Sequence, residues 1–247
     1  TSARCRPNAF SASPQTAGMR YAVVADIHGN LPALEAVIDA MPAVDRWLCA
    51  GDTVGYNPWP ADCLARVQEL DAATVMGNHD RAVASDTGFR FNSMAAAGVT
   101  YARDELNEDA LTWLDSLPNR RTIDGGDILL VHGHPENPDR YTYPDEFSPA
   151  MLENNARVTI TGHTHVQGVR EFEEGVVMNP GSVGQPRDGD PGAAFAVLDI
   201  SDSDDAGGTA AIDIETHRVS YDIDRVIDAV EDAGLPEKIG TRLRSGQ

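Results

Sequence analysis

Lysine is almost missing from this 247-residue chain: Lys238 stands alone beside 18 arginines, and 39 acidic side chains against 19 basic ones leave a formal charge of −20. Such a surface repels phosphate backbones, which argues against a groove that tracks nucleic acid. It suits very high salt, where repulsion is screened within a few Å, so a halophilic source is expected. Aromatic residues make up only 6%, and no apolar run reaches the ~18 residues a membrane helix needs. Cysteine is scarce too. Cys5, Cys49 and Cys63 lack the paired spacing of a disulfide framework or a zinc finger, which fits a reducing compartment and makes Cys49 a small core residue. Residues 1–18 have no continuous apolar stretch of the kind a secretory signal carries; they read as a disordered extension before Met19, and a cytoplasmic location is expected.

From Met19 onward, short apolar runs alternate with amphipathic stretches, the pattern of layered α/β structure. Strands are expected at residues 21–25, 47–50 and 73–76. Helices fall between them, the first placing Leu34, Val37, Ile38 and Met41 on one face; two βαβ units result. Residues 81–118 read as a helical excursion within a single domain spanning 19–247, with helices at 93–105 and 108–116, the latter capped by Asn107. Further strands are expected at 121–123, 128–131, 158–161, 167–172, 176–178, 193–200 and 210–216, the last two joined by the solvated tip SDSDDAGG. The amphipathic tail from Asp224 is expected to cover the sheet, with a homodimer contact as the alternative.

Six of the seven histidines sit in short polar segments that follow apolar runs: Asp26-Ile27-His28, Gly51-Asp52, Gly77-Asn78-His79-Asp80, His132-Gly133-His134 and Gly162-His163-Thr164-His165. In open α/β folds the carboxyl ends of strands converge on one rim, where ligands bind. A lone histidine at a strand end is ordinarily a structural group, but five segments delivering carboxylate, imidazole and amide oxygen together point to metal. On an extended segment, residues two apart share a side, so Asp26 with His28, and His163 with His165, could each reach one ion. The set lacks thiolate, which favours Mn²⁺, Fe, Zn²⁺ or Ni²⁺ over Ca²⁺. Seven ligands exceed one tetrahedral shell, whereas two ions ~3.5–4 Å apart sharing a carboxylate fit the count.

These motifs, D-x-H, G-D, G-N-H-D, a single His and G-H-x-H in that order, resemble the calcineurin-like metallophosphoesterases from about residue 20 to the C-terminus. GDTVGYNP at 51–58, VHGHP at 131–135, NPGSVGQPRDGDP at 179–191 and the ending GLPEKIGTRL resemble the diadenosine-tetraphosphatase-like and small bacterial and archaeal phosphodiesterase branch. The resemblance implies a four-layer α/β/β/α sandwich, two packed mixed sheets flanked by helices. It implies that Asp26, His28 and His165 hold one divalent ion, that Asn78, His132 and His163 hold a second, and that Asp52 bridges them, with Mn²⁺ as the first choice of metal. His79 is then the non-ligand histidine beside the scissile phosphate, held by Asp80 or another carboxylate.

The implied activity is hydrolysis of a small phosphodiester or nucleoside polyphosphate by metal-activated hydroxide, with His79 as an acid if protonated. Where protein phosphatases of the family carry an Arg after the bridging Asp, this chain has Tyr56 and Asn57, which weighs against protein-phosphatase or phosphomonoesterase action. Asn57, His134 and Arg187 are candidate substrate contacts; for His134 and Arg187 a loop hydrogen bond and a surface ion pair are the alternatives. Gly181 and Ser182 read as a tight turn. A non-catalytic binding scaffold on the same fold is the competing function, and the filled ligand positions weigh against it.

Overall fold

The computed structural model describes residues 18–85, 91–201 and 211–247; the expected N-terminal extension and nearly all of the SDSDDAGG tip lie outside them. Among the described residues, ten strands form two five-stranded mixed sheets. The first, in the order β10-β9-β1-β2-β3, contains β1 (Met19–Val24), β2 (Arg46–Cys49), β3 (Ala73–Thr74), β9 (Ala193–Ile200) and β10 (Ile212–Val219). The second, in the order β4-β5-β6-β8-β7, contains β4 (Arg120–Ile123), β5 (Ile128–Val131), β6 (Val158–Ile160), β7 (Gly168–Glu171) and β8 (Val176–Asn179). Helices α1 (Leu31–Ala40) and α2 (Pro60–Glu69) make the two expected crossovers, since β1, β2 and β3 run parallel.

Strand alternation builds the layers. Tyr21 and Val23 of β1 and Ala196 and Leu198 of β9 face inward, where they join Ile128, Leu130, Val158, Ile160 and Met178 of the second sheet in one buried core. Their neighbours Val24, Phe195 and Val197 point outward against Leu34, Val37, Cys63 and Val67 of α1 and α2. Burying each of the large aliphatic side chains in these layers contributes about 1.5–3 kcal/mol. The sheets are flanked by helices as expected, but the second sheet's outer face is covered partly by single 3-10 turns at Pro144–Glu146 and Pro149–Met151, through Phe147 and Met151. Prolines open both turns and favour such short pieces over a long helix.

Within the excursion lie α3 (Asn78–Ser85), α4 (Ser93–Glu105) and α5 (Glu108–Asp115). Asn92 and Asn107 cap α4 and α5 by accepting amide hydrogen bonds. Helix α3 gave no sequence signal, because most of its eight residues are polar and its first three belong to the G-N-H-D motif. The tail differs from expectation. Helices α6 (Ile223–Asp232) and α7 (Lys238–Thr241) and the 3-10 turn Arg242–Ser245 bury Val226, Val230, Ile239 and Leu243 against Ala95 of α4 and against Tyr56 rather than against a sheet. Among the described residues no helix is long and apolar enough to cross a membrane.

Candidate metal centre

The centre lies where β1, β2, β3, β5 and β6 end. Asp26 and His28 follow β1, Asp52 follows β2, Asn78 and His79 open α3 after β3, His132 follows β5, and His163 and His165 follow β6. All are buried. The side chains of Asp26, His28 and His165 form one cluster with ligand atoms within 4.8 Å of one another; Asp52, His132 and His163 form another, and His28, Asp52 and His79 a third. Asp52 joins the clusters, with its Oδ2 3.7 Å from His28 Nε2 and 3.3 Å from His132 Nε2.

Asp26 and His28 meet in one cluster, but His163 and His165 divide between two, and the shared side expected of extended backbone brings neither pair to its place. These residues are not extended: Asp26, His28, Asp52, His163 and His165 all have φ between 51° and 67°. Left-handed backbone at non-glycine residues is uncommon and costs of order 1–3 kcal/mol per residue, so the surroundings must impose it. Here they do. The amides of Asp26 and His28 donate to Gly51 O and Asp52 O, and the His163 amide donates to the Asp26 carboxylate. Close approach adds a constraint, since a Cβ on Gly77 would lie 2.0 Å from Asp52 Oδ1.

Hydrogen bonding fixes which nitrogen each imidazole offers. Nδ1 of His28, His132 and His165 lies 3.2, 2.7 and 2.6 Å from the carbonyls of Val54, Ala50 and Gln185, and His163 Nε2 lies 3.3 Å from Asp139 O. A carbonyl only accepts, so these nitrogens carry the protons and the opposite ones present lone pairs to the centre. Those lone pairs face each other: His28 Nε2 is 3.0 Å from His165 Nε2, and His132 Nε2 is 3.1 Å from His163 Nδ1 and from Asn78 Oδ1. His28 and His165 both stay neutral, so their unprotonated nitrogens, 3.0 Å apart, repel unless a cation lies between them, whereas in the metal-free protein a proton held on His132 bridges that histidine to its neighbours. The donor set therefore fits divalent metal.

Electrostatics agree. Burial foremost holds His28 and His165 well below the ordinary imidazole range and His163 down to about 3, the neutral form that binds metal. In the metal-free protein, burial pushes Asp26 up to about 8. Burial opposes the charge on His132 as well, but the carboxylate of Asp52 outweighs it and raises His132 to about 10.

The other expected contacts separate. Asp80 does not touch His79; its carboxylate accepts from the amides of Asp52, Thr53, Val54 and Gly77 and so holds the Asp52 loop. His79 packs edge-on to His28 and beside Tyr56 and Phe91, its Nδ1 is buried without a partner, and burial lowers it to about 4, so the condition set for it as an acid, that it be protonated, is not met in the metal-free protein near neutral pH. Asn57 is 1% exposed and donates to His28 O, which makes it a brace. His134 bonds only its own loop, through the amide of Glu136 and Asn137. Arg187 alone of the three reaches the open site: a cleft of about 310 Å³ beside the centre is lined by Asn78, His79, Tyr56, Phe91, Tyr141 and Arg187, among others. Sequence reasoning missed the bracing by Asn179, Ser182 and Gln185. Asn179 donates to Gly162 O, Ser182 donates to Asp26 O, and Gln185 supplies the acceptor for His165. The NPGSVGQ segment is thus more than a turn.

A rim of stacked sheets that buries carboxylates and imidazoles with their lone pairs converging is suited to hydrolysing phosphate esters with metal, and comparison with known proteins agrees: this is a metal-dependent phosphate ester hydrolase. The chain belongs to the calcineurin-like phosphoesterase superfamily, whose domain description matches residues 19–203. It is 31% identical to an uncharacterized protein of Methanocaldococcus jannaschii, over 92% of this chain and 98% of that one. Phosphodiesterase YfcE of Escherichia coli is 26% identical over 73% of this chain and 88% of its own length. The crystal structure of a metallophosphoesterase from Sphaerobacter thermophilus superposes with a TM-score of 0.74 at 33% identity, covering 94% of this chain and all of that one.

Proposed function

We propose that the chain hydrolyses a small phosphodiester or nucleoside polyphosphate with two divalent ions, Mn²⁺ foremost. Asp26, His28 and His165 hold one ion, Asn78, His132 and His163 the other, and Asp52 lies between. The single observation that carries this reading is the position of Asp52, within 3.7 Å of a histidine of each cluster. When bound, the ions supply Lewis-acid withdrawal of charge from phosphate oxygens and a water acidified enough to attack. The chain's own residues do the rest. Backbone carbonyls aim the imidazoles, Asp80 fixes the Asp52 loop, and His79, neutral and facing the cleft, donates its one N–H to the reacting phosphate or the leaving oxygen. The similarity to a protein named as a phosphodiesterase supports the substrate class.

The reading extends to setting: residues 19–247 act as one domain, in the cytoplasm of an organism with molar salt, as the lone Lys238 and the charge of −20 suggest. The test is metal content together with hydrolysis of bis-p-nitrophenyl phosphate in molar KCl. Two ions per chain and Mn²⁺-dependent turnover are expected. A protein that binds no metal and shows no turnover is a scaffold instead.

A further inference from the structure

The four histidines that face the metal sites are each fixed by a backbone carbonyl. His79 is not, since its Nδ1 is buried without a partner. Its ring is oriented by packing instead. A Cβ on Gly55, where φ is 92°, would lie 2.5 Å from His79 Nδ1, so backbone closes one side. The rings of His28, Tyr56 and Phe91 stand around it, with centroids 4.7, 4.7 and 4.6 Å away.

Tyr56 is itself clamped. It is 3% exposed and its backbone is left-handed at φ 60°, a conformation that the surroundings must impose on a residue other than glycine. They do so from two sides. The amide of the next residue, Asn57, donates to His28 O and ties this loop to a metal ligand. Gly98 of α4 presses from the other side, where a Cβ would lie 2.3 Å from Tyr56 N and 2.5 Å from its Cα. The Tyr56 ring stands edge-on to His28, with centroids 4.8 Å apart, and its hydroxyl accepts from Arg187 at 3.3 Å. Ala95 of α4 and Val226, Val230, Ile239 and Leu243 of the tail join it in one buried apolar cluster. The family description stops at residue 203, so the tail's share of this backing lies beyond it.

We propose that Tyr56 is a positioning residue for the hydrolysis: its ring, backed by Gly98 and the C-terminal tail, holds His79 in the orientation that points its N–H at the reacting phosphate. The proposal rests on the two-metal reading and deepens it. Tyr56 acts through His79 rather than on the substrate. A donor must lie within hydrogen-bond reach and in line with its acceptor, and a misplacement of ~1 Å costs up to ~10²-fold in rate. An imidazole with no hydrogen bond behind it keeps that geometry only while its neighbours stay in place. Leucine at position 56 would remove the flat face that His79 rests on. Phenylalanine would keep the face and lose only the bond to Arg187. The tail then contributes to turnover by packing, through the ring it supports.

The test compares wild type, Tyr56→Phe and Tyr56→Leu as full chains loaded with Mn²⁺, on bis-p-nitrophenyl phosphate in molar KCl. In Tyr56→Leu, kcat should fall ~10- to 100-fold with KM nearly unchanged and both ions retained. Tyr56→Phe should keep kcat within about threefold of wild type. Added to His79→Ala, Tyr56→Leu should cost nothing more, because the residue it acts through is gone. A further loss of the same size in that background, a loss of metal, or an unmoved kcat in Tyr56→Leu each overturns the proposal. Should Tyr56→Leu not fold, Val230→Ala loosens the backing of the ring instead and should lower kcat with both ions retained; an unchanged kcat there overturns it too. A second readout does not depend on turnover. The Cε1–H NMR signal of His79 in the metal-free protein, identified by its absence in His79→Ala, should be single and sharp in wild type and Tyr56→Phe, and broadened or doubled in Tyr56→Leu. A signal as sharp in Tyr56→Leu as in wild type speaks against any hold on the ring and overturns the proposal. If wild type binds no metal and hydrolyses no diester, the phosphoesterase reading fails, while this signal still decides whether Tyr56 orients His79.

Discussion

The two sides of the cleft are built on different principles. The metal side is held by backbone: carbonyls of Ala50, Val54, Asp139 and Gln185 orient four histidines, and amides of four residues hold Asp80 under Asp52. The opposite wall is held by side-chain packing of α4 and the tail, and presents Phe91 and Arg242. Backbone bracing survives side-chain substitution nearby, whereas a wall made of side chains changes whenever they do. Chemistry is thus fixed on one side and specificity is left free to vary on the other.

The sharpest attempt to break this contrast is Asp52→Asn. Removing the shared charge should cost at least one of the two ions and on the order of 10³-fold or more in turnover, read by metal analysis and initial rates. Full metal content would show that the clusters do not depend on Asp52. His79→Ala comes next. Its side chain faces the cleft from the metal side, so turnover should fall ~10²- to 10⁴-fold with both ions retained. Loss of metal along with turnover would make His79 a ligand, as its cluster with His28 and Asp52 allows. Asp80→Asn is the milder case: it leaves at least one amide with a poorer acceptor and should weaken metal binding ~10- to 100-fold, measured by competition with a chromogenic chelator. A change confined to KM would place Asp80 with the wall instead.

How far each side could be read from the sequence follows from the same contrast. The layered α/β fold, both crossovers and the residues of the metal side were legible because strand ends deliver ligands at fixed places: Asp26, Asp52, His132 and His163 each follow an apolar run by no more than three residues. The braces were not, since a backbone carbonyl such as Ala50 O leaves no trace in residue type. Asp80 was visible only as a neighbour of His79, and nothing in its type tells a backbone acceptor from a ring partner. The wall was hardest. Arg242 is 163 residues from His79, and only the packing of Ile239 and Leu243 against Tyr56 and α4 brings them to one cleft. Of Asn57, His134 and Arg187, the sequence could not tell which faced outward, because loop direction depends on long-range hydrogen bonds such as that from Asn57 to His28 O.

The last test separates the two sides by what they respond to. In the metal-free protein Asp26 is held up to about 8 and His132 up to about 10, so near neutral pH both carry protons that a metal must displace. Affinity for metal should then rise with pH, by roughly tenfold per unit for each proton released, and the gain should diminish as pH passes first the Asp26 value and then that of His132. Calorimetry in buffers of different ionisation enthalpy counts the protons directly. The wall, in contrast, brings Arg187 and Arg242 to an open cleft, so the binding of any anion there should weaken with ionic strength. A metal affinity that is flat with pH would mean that Asp52 does not hold a proton on His132. The neutralisation that allows five imidazoles and three carboxylates to be buried at one rim would then have another source.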